Sequence, residues 1–115
     1  MSYIDDLATL SNVTVEDVIR LSSKYVPREY HKAPWKYPEL NHGVNLLSSE
    51  DALCCYMSAY GEMHTIKCRT MFRNLPWDSF ANIEVVDWGC GQGIGTICLA
   101  EMLRERNKLH LLQKV

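Results

Sequence analysis

The segment IEVVDWGCGQGIGT, residues 83–96, constrains the fold of this chain more than any other stretch. It opens with a β-branched apolar run that is typical of a buried strand and ends at Asp87. Three alternating glycines follow, and then a helix-forming segment from about Gly93 to Arg106. A strand, a tight glycine turn and a helix form one βα unit. In such a unit, unpaired N–H groups at the helix N-terminus can meet a ligand, and glycines let it approach the backbone.

The residues around these glycines exclude the two common phosphate-binding turns. A P-loop requires a lysine after its last glycine, and none follows here. The dinucleotide fingerprint requires glycine or alanine at position 94 or 96, depending on the register, and Ile94 and Thr96 occupy those positions. The carboxylate of Asp87 would also repel a pyrophosphate. It suits a cationic ligand that carries an ammonium group and no phosphate, and S-adenosylmethionine is such a ligand.

The stretch VVDWGCGQGIGT resembles the first motif of the class I, Rossmann-like S-adenosylmethionine-dependent methyltransferases, whose pattern is apolar-apolar-acid-apolar-G-x-G-x-G. The resemblance implies S-adenosylmethionine as the cofactor, with Asp87 facing its methionine moiety. It also implies that the cofactor-binding turn is formed by Gly89, Cys90, Gly91 and Gly93. The long helix predicted at 49–74 is similar in placement to the helix that leads into the first strand in that family.

We therefore expect an incomplete α/β fold, in which a mostly helical N-terminal part precedes the first βα unit of a Rossmann-like methyltransferase fold. Residues 1–47 would form a helical segment and an ordered loop, and residues 48–115 the long helix and the truncated methyltransferase domain. The resemblance puts a ribose-binding acid on a second strand, roughly 20 or more residues beyond the glycines. That position is near or past Val115, so we expect an N-terminal fragment that is inactive alone.

Local signals predict three helices before the glycine turn. Two of them have a hydroxyl residue followed three positions later by an acid, the pattern of a capping box. The predicted elements are a short helix in 2–10 with Ile4, Leu7 and Leu10 on one side, a helix capped by Thr14 and Asp17, and a long helix capped by Ser48 and Asp51 that ends near Asn74. The proline-rich connection at 27–47 carries three aromatic residues, so we expect it to pack across the body of the protein.

The long helix has one narrow polar stripe when its residues are placed at 100° intervals. The stripe consists of Ser58, Glu62, Thr65, Arg69 and Arg73. Most other positions are apolar or aromatic, which predicts a helix covered on two sides.

Lys67 interrupts the apolar surface of this helix. Its stem could cover apolar surface while the ammonium group reaches water. Alternatively, Tyr60, His64 and Lys67 line a cleft and contact an anionic or polar substrate. His64 and Tyr60 are the only candidates for a general base, and no catalytic residue is assigned. His64 and Cys68 have the spacing of two zinc ligands, but nothing completes the set, so no metal is predicted.

Composition indicates the cellular location of the protein more clearly than its substrate. The five cysteines are odd in number and form no C-x-x-C motif, which favours a reducing, cytoplasmic location. No apolar run of 18 residues is present, so no membrane span is predicted. The net charge of −2 gives no overall case for nucleic acid. The helix-plus-motif arrangement is nevertheless similar to that of methyltransferases associated with small-subunit ribosomal RNA. RNA, protein and small-molecule acceptors therefore stay open.

A lone parallel-type strand leaves its backbone groups unpaired. We therefore expect either a homodimer through the unpaired strand at 83–88 or a strand packed along a helical bundle. The alternative function from a different class is a non-catalytic helical interaction or oligomerisation module that retains the glycine turn.

Overall fold

Four α-helices and two short strands make up the chain in a computed structural model that describes residues 2–43, 46–88 and 92–115. The elements, in chain order and with their bounds, are α1 (Tyr3–Ala8), α2 (Val15–Tyr25), α3 (Glu50–Arg73), β1 (Ile83–Glu84), α4 (Ile94–Glu105) and β2 (Leu112–Lys114). Short 3-10 turns connect several of them. The chain divides into two compact units, Met1–Met63 and His64–Val115, so that α3 contributes to both. The predicted boundary at residue 47 is a different division and stays a prediction.

The second helix begins where its capping residues predict. Thr14 accepts a hydrogen bond from the backbone N–H of Asp17 at 3.1 Å, and the Asp17 carboxylate accepts one from the backbone N–H of Thr14, so the predicted capping box is confirmed. The apolar side predicted for the first helix is wrong in one respect. Ile4 is 54% exposed, whereas Tyr3 is buried and its hydroxyl lies 2.9 Å from the Ser22 hydroxyl. The ring of Tyr3, whose hydroxyl is hydrogen-bonded, is therefore buried instead of the Ile4 side chain.

The connection at 27–47 packs on the first unit, as predicted. Leu40 is fully buried, and Tyr30 and Tyr37 pack beside the same core cluster. The core of this unit consists of Tyr3, Val26, Leu40, Ala52, Cys54 and Cys55. Burial raises the pKa of the Cys54 thiol to about 12, which keeps it protonated and unreactive.

The cap of α3 lies one residue later than predicted. Ser49, not Ser48, accepts the hydrogen bond from the Ala52 backbone N–H, at 3.1 Å. Both serines also donate to the carboxylate of Glu39, with hydroxyl distances of 2.8 Å from Ser48 and 2.6 Å from Ser49. These hydrogen bonds lower the pKa of Glu39 to about 2. The Ser49 hydroxyl therefore donates to Glu39 and accepts from the Ala52 N–H at the same time, so it joins the preceding connection to the helix start.

The second unit contains a parallel two-stranded sheet. Ile83 of β1 pairs with Leu112 of β2, and Glu84 pairs with Lys114. The prediction of an unpaired strand at 83–88 is therefore wrong in two respects, because β1 spans only two residues and has a partner within the chain. Parallel strands require a crossover connection, and α4 provides it. A mostly helical chain with this small sheet agrees with an incomplete α/β fold.

The core of the second unit lies between the sheet and its helices. Its buried residues are Trp77, Ile83, Leu99 and Leu103. The indole N–H of Trp77 donates to the Phe72 carbonyl at 2.6 Å, so the buried ring keeps its polar group satisfied. No helix in the described part of the chain is both long enough and apolar enough to cross a membrane.

Candidate functional site

The glycine turn lies between β1 and α4, beyond the carboxyl end of the strand. Three of its predicted cofactor-binding residues, Gly89, Cys90 and Gly91, lie outside the described residues. Gly93 is the N-cap of α4 and has a φ of 78°, a left-handed conformation that favours glycine. A Cβ built on Gly93 meets no described heavy atom within 4 Å, so the backbone conformation, not crowding, requires glycine.

Asp87 is held at the first turn of α4. The Thr96 hydroxyl donates to Oδ2 of Asp87 at 2.7 Å, and Thr96 is the third residue of the helix. The side chains on either side of Asp87 point to solvent, since Val86 is 76% exposed and Trp88 is 90% exposed, whereas Asp87 is half-buried. A carboxylate is stabilised at this end of a helix by the aligned peptide dipoles. The strand therefore delivers one acid to the N-terminus of α4.

Gly95 leaves one side of this carboxylate uncovered. A Cβ built on Gly95 would be 3.4 Å from Oδ2 of Asp87 and 3.9 Å from its Cγ and Oδ1. These are ordinary van der Waals distances. A larger side chain at position 95 would therefore cover the carboxylate, and glycine leaves that side of it open to a ligand.

A cavity of about 440 Å³ adjoins this acid within the second unit. Its volume is within the range of small-molecule sites, which are mostly apolar with a few converging polar groups. Aromatic rings form part of its wall, and Asp87 and Thr96 lie at its lining; the aromatic members are Phe72, Trp77 and Phe80. The ring centroids of Trp77 and Phe80 are 5.3 Å apart in an edge-to-face arrangement. The site thus combines an apolar wall with two acidic residues, Glu84 and Asp87.

The polar stripe of α3 does not simply face solvent. Thr65 is 3% exposed, and Arg69 donates to Oε2 of Glu101 on α4 at 3.0 Å. Glu101 is itself only 7% exposed. The opposite surface of the helix is also not covered as predicted, because Ile66 and Met71 are 58% and 57% exposed. Within the second unit, an ion pair between the half-buried Arg69 and the buried Glu101 therefore attaches α4 to α3.

The three residues predicted to face a substrate belong to different units. Tyr60 lies in the first unit, in an edge-to-face pair with Tyr56 whose ring centroids are 5.1 Å apart. His64 is half-buried and Lys67 is exposed, both in the second unit. Their shared role as a substrate site stays a prediction.

Thr96 and Gly95 are the site residues that the sequence pattern did not reveal. The pattern used Thr96 only to exclude phosphate-binding turns. A hydroxyl residue three positions after a helix-opening glycine is a weak signal, because it indicates no particular partner. The contact with Asp87, nine residues earlier, depends on the path of the turn.

Comparison of the chain with models of known protein families, with curated proteins and with solved structures finds no significant match. Within the described residues, no group of three or more His, Cys, Asp or Glu side chains is arranged to hold a metal ion. The functional interpretation consequently depends on the motif and on the geometry at the turn.

We predict that the Arg69–Glu101 pair stabilises the packing of α4. Arg69→Met leaves the Glu101 carboxylate buried without its guanidinium, so the free energy of unfolding should fall by about 2 kcal/mol. Adding Glu101→Leu should restore most of the loss, since the buried charge is then removed as well. Urea denaturation measures both effects. Arg73→Met, the same substitution at an exposed position of the same helix, is the control. Equal losses in Arg69→Met and Arg73→Met would contradict the prediction.

Proposed function

We propose that this chain carries the S-adenosylmethionine-binding βα unit of a methyltransferase. The observation that supports this most is the placement of Asp87, which follows β1 and is hydrogen-bonded to the first turn of α4. The left-handed Gly93 opens that helix between the glycines of the motif and Thr96. The acid and the helix N-terminus therefore meet at one point of the chain.

The location supports ligand binding on general grounds. Ligands of open α/β sheets bind beyond the carboxyl ends of the parallel strands, and Asp87 follows the carboxyl end of β1. The N–H groups of the first helical turn are donors that a ligand carboxylate can use. The adjoining cavity supplies an apolar wall for the less polar parts of a ligand.

The charges favour this cofactor over a nucleotide phosphate. Asp87 attracts an ammonium group and repels a phosphate, while the helix N-terminus attracts a carboxylate. The amino-acid end of S-adenosylmethionine presents both groups side by side. We accordingly assign Asp87 to the ammonium group and the turn of Gly89, Cys90, Gly91 and Gly93 to the rest of the cofactor, as part of the proposal.

The proposed reaction is an in-line displacement at the methyl carbon. A nucleophile of the acceptor forms a bond to that carbon while the carbon–sulfur bond breaks, and the electron pair stays on sulfur as the sulfonium becomes a thioether. Approximation and orientation dominate such a step. The residues described here bind and orient the cofactor and provide no assigned general base. We propose that the activity belongs to a parent methyltransferase, whose acceptor is RNA, protein or a small molecule.

We predict that the 115-residue chain binds S-adenosylmethionine and S-adenosylhomocysteine in isothermal titration. Asp87→Ala should weaken both affinities about tenfold or more, because each ligand loses a charge-assisted hydrogen bond. Asp78→Ala is the matched control, since the Asp78 side chain is 95% exposed and lies in the same unit. Absent binding by the unmodified chain, or equal binding by Asp87→Ala, would refute the proposed site.

The alternative is a helical interaction or oligomerisation module, and exposed apolar side chains favour it. Ile66, Met71, Val86 and Trp88 are each more than half exposed. Because β1 already pairs with β2, the proposed homodimer through residues 83–88 would use the other edge of β1. The Val85 N–H donates to the Lys114 carbonyl at 2.9 Å, so the backbone groups of Glu84 and Val86 point to the opposite edge of β1. That edge is where a second copy would pair.

We predict that Val86→Pro abolishes self-association of this kind without disturbing the pairing of β1 with β2. Proline removes the amide that points to the outer edge, whereas Val86→Ala retains it and should leave association unchanged. Sedimentation velocity at several protein concentrations measures the effect. A monomeric unmodified chain, or a dimer that survives Val86→Pro, would rule out pairing through this edge.

A further inference from the structure

Thr96 determines where the Asp87 carboxylate can lie. Its hydroxyl donates to Oδ2 of Asp87 at 2.7 Å. Among the described residues, Thr96 is the hydrogen-bond partner of this carboxylate. The torsion that turns a carboxylate about its Cβ–Cγ bond is broad and has no single strong preference. A hydrogen bond to one oxygen therefore fixes an orientation that the Asp87 side chain would not adopt uniquely by itself.

Gly95 leaves another side of the same carboxylate uncovered. Oδ2, Cγ and Oδ1 of Asp87 all lie within 3.4–3.9 Å of the position a Cβ would take on Gly95. The lack of a side chain at Gly95 therefore keeps that side of the carboxylate accessible, while the Thr96 hydroxyl supplies the hydrogen bond that orients it. Oδ2 accepts the hydrogen bond from Thr96, whereas Oδ1 keeps both of its lone pairs available to a ligand.

We propose that Thr96 is a positioning residue of the cofactor site, which orients Asp87 so that Oδ1 accepts the hydrogen bond from the ammonium group of S-adenosylmethionine. This inference depends on the proposed function and goes beyond it, because it assigns a role to a residue outside the glycine motif. Thr96 acts on the cofactor only through Asp87. Its effect is therefore confined to ligands that carry the ammonium group.

The ligand 5′-methylthioadenosine separates this role from a general structural one. It keeps the adenosine and the sulfur of the cofactor but lacks both the ammonium group and the carboxylate. Loss of orientation at Asp87 should reduce affinity for S-adenosylmethionine and leave affinity for 5′-methylthioadenosine unchanged. A damaged fold would reduce both affinities together.

The test uses the full chain and two substitutions of Thr96. Thr96→Val is nearly isosteric and removes the hydroxyl, so affinity for S-adenosylmethionine should fall about tenfold. Thr96→Ser retains the hydroxyl and should stay within about threefold of the unmodified chain, since the donor to Asp87 is restored. Isothermal titration with both ligands gives the comparison. A Thr96→Ser variant as weak as Thr96→Val, or equal losses for both ligands, would overturn the positioning role while the proposed function stands.

A second measurement is independent of any cofactor. Thr96→Val should lower the urea midpoint of unfolding in the unmodified background and should not lower it in the Asp87→Ala background, because the hydrogen bond is already absent there. Equal shifts in the two backgrounds would overturn the contact itself. If the chain binds neither ligand, the proposed function fails and the positioning role fails with it, even where the urea midpoints confirm the contact.

Discussion

The parallel pairing of β1 with β2 is the constraint on which the second unit depends. Because the two strands run in the same direction, the chain between them must cross from one end of the sheet to the other. Helix α4 makes this crossing, and its N-terminus is consequently delivered close to the carboxyl end of β1. Asp87 can then reach Thr96 across only nine positions of sequence. The strand pairing thus creates the meeting of an acid with a helix N-terminus.

Two further contacts keep this geometry in place. The ion pair between Arg69 and the buried Glu101 attaches α4 to the C-terminal part of α3. The apolar residues Trp77, Ile83 and Leu99 fill the space between the sheet and the helices. The ion pair specifies which surface of α4 faces α3, and apolar burial supplies most of the stabilisation. The methyl acceptor would be selected by residues outside the turn, so these contacts assign no acceptor.

Local features of this fold could be predicted from the sequence, and long-range features could not. The Thr14–Asp17 capping box and the extent of α3 follow from short-range hydrogen bonding and from helix-breaking residues. The cap lies at Ser49 and not at Ser48, a difference that two adjacent serines do not reveal, and the bonds of both serines to Glu39, nine and ten residues earlier, have no local signal. The polar stripe of α3 gave the right periodicity, but the spacing of polar side chains does not reveal a buried partner such as Glu101. The pairing of β1 with Leu112–Lys114 could not be predicted, because a strand of three residues does not indicate which strand it pairs with.

We propose that the amino-acid end of S-adenosylmethionine binds where Asp87 meets the first turn of α4. Backbone amide NMR spectra of the chain, titrated with S-adenosylhomocysteine, test it most directly because they report on each residue separately. We expect the largest chemical-shift changes to fall between residues 87 and 96, with Thr96 among them. The amides of α1 should stay unchanged. Saturable changes concentrated outside residues 83–99, or no changes at all, would contradict it.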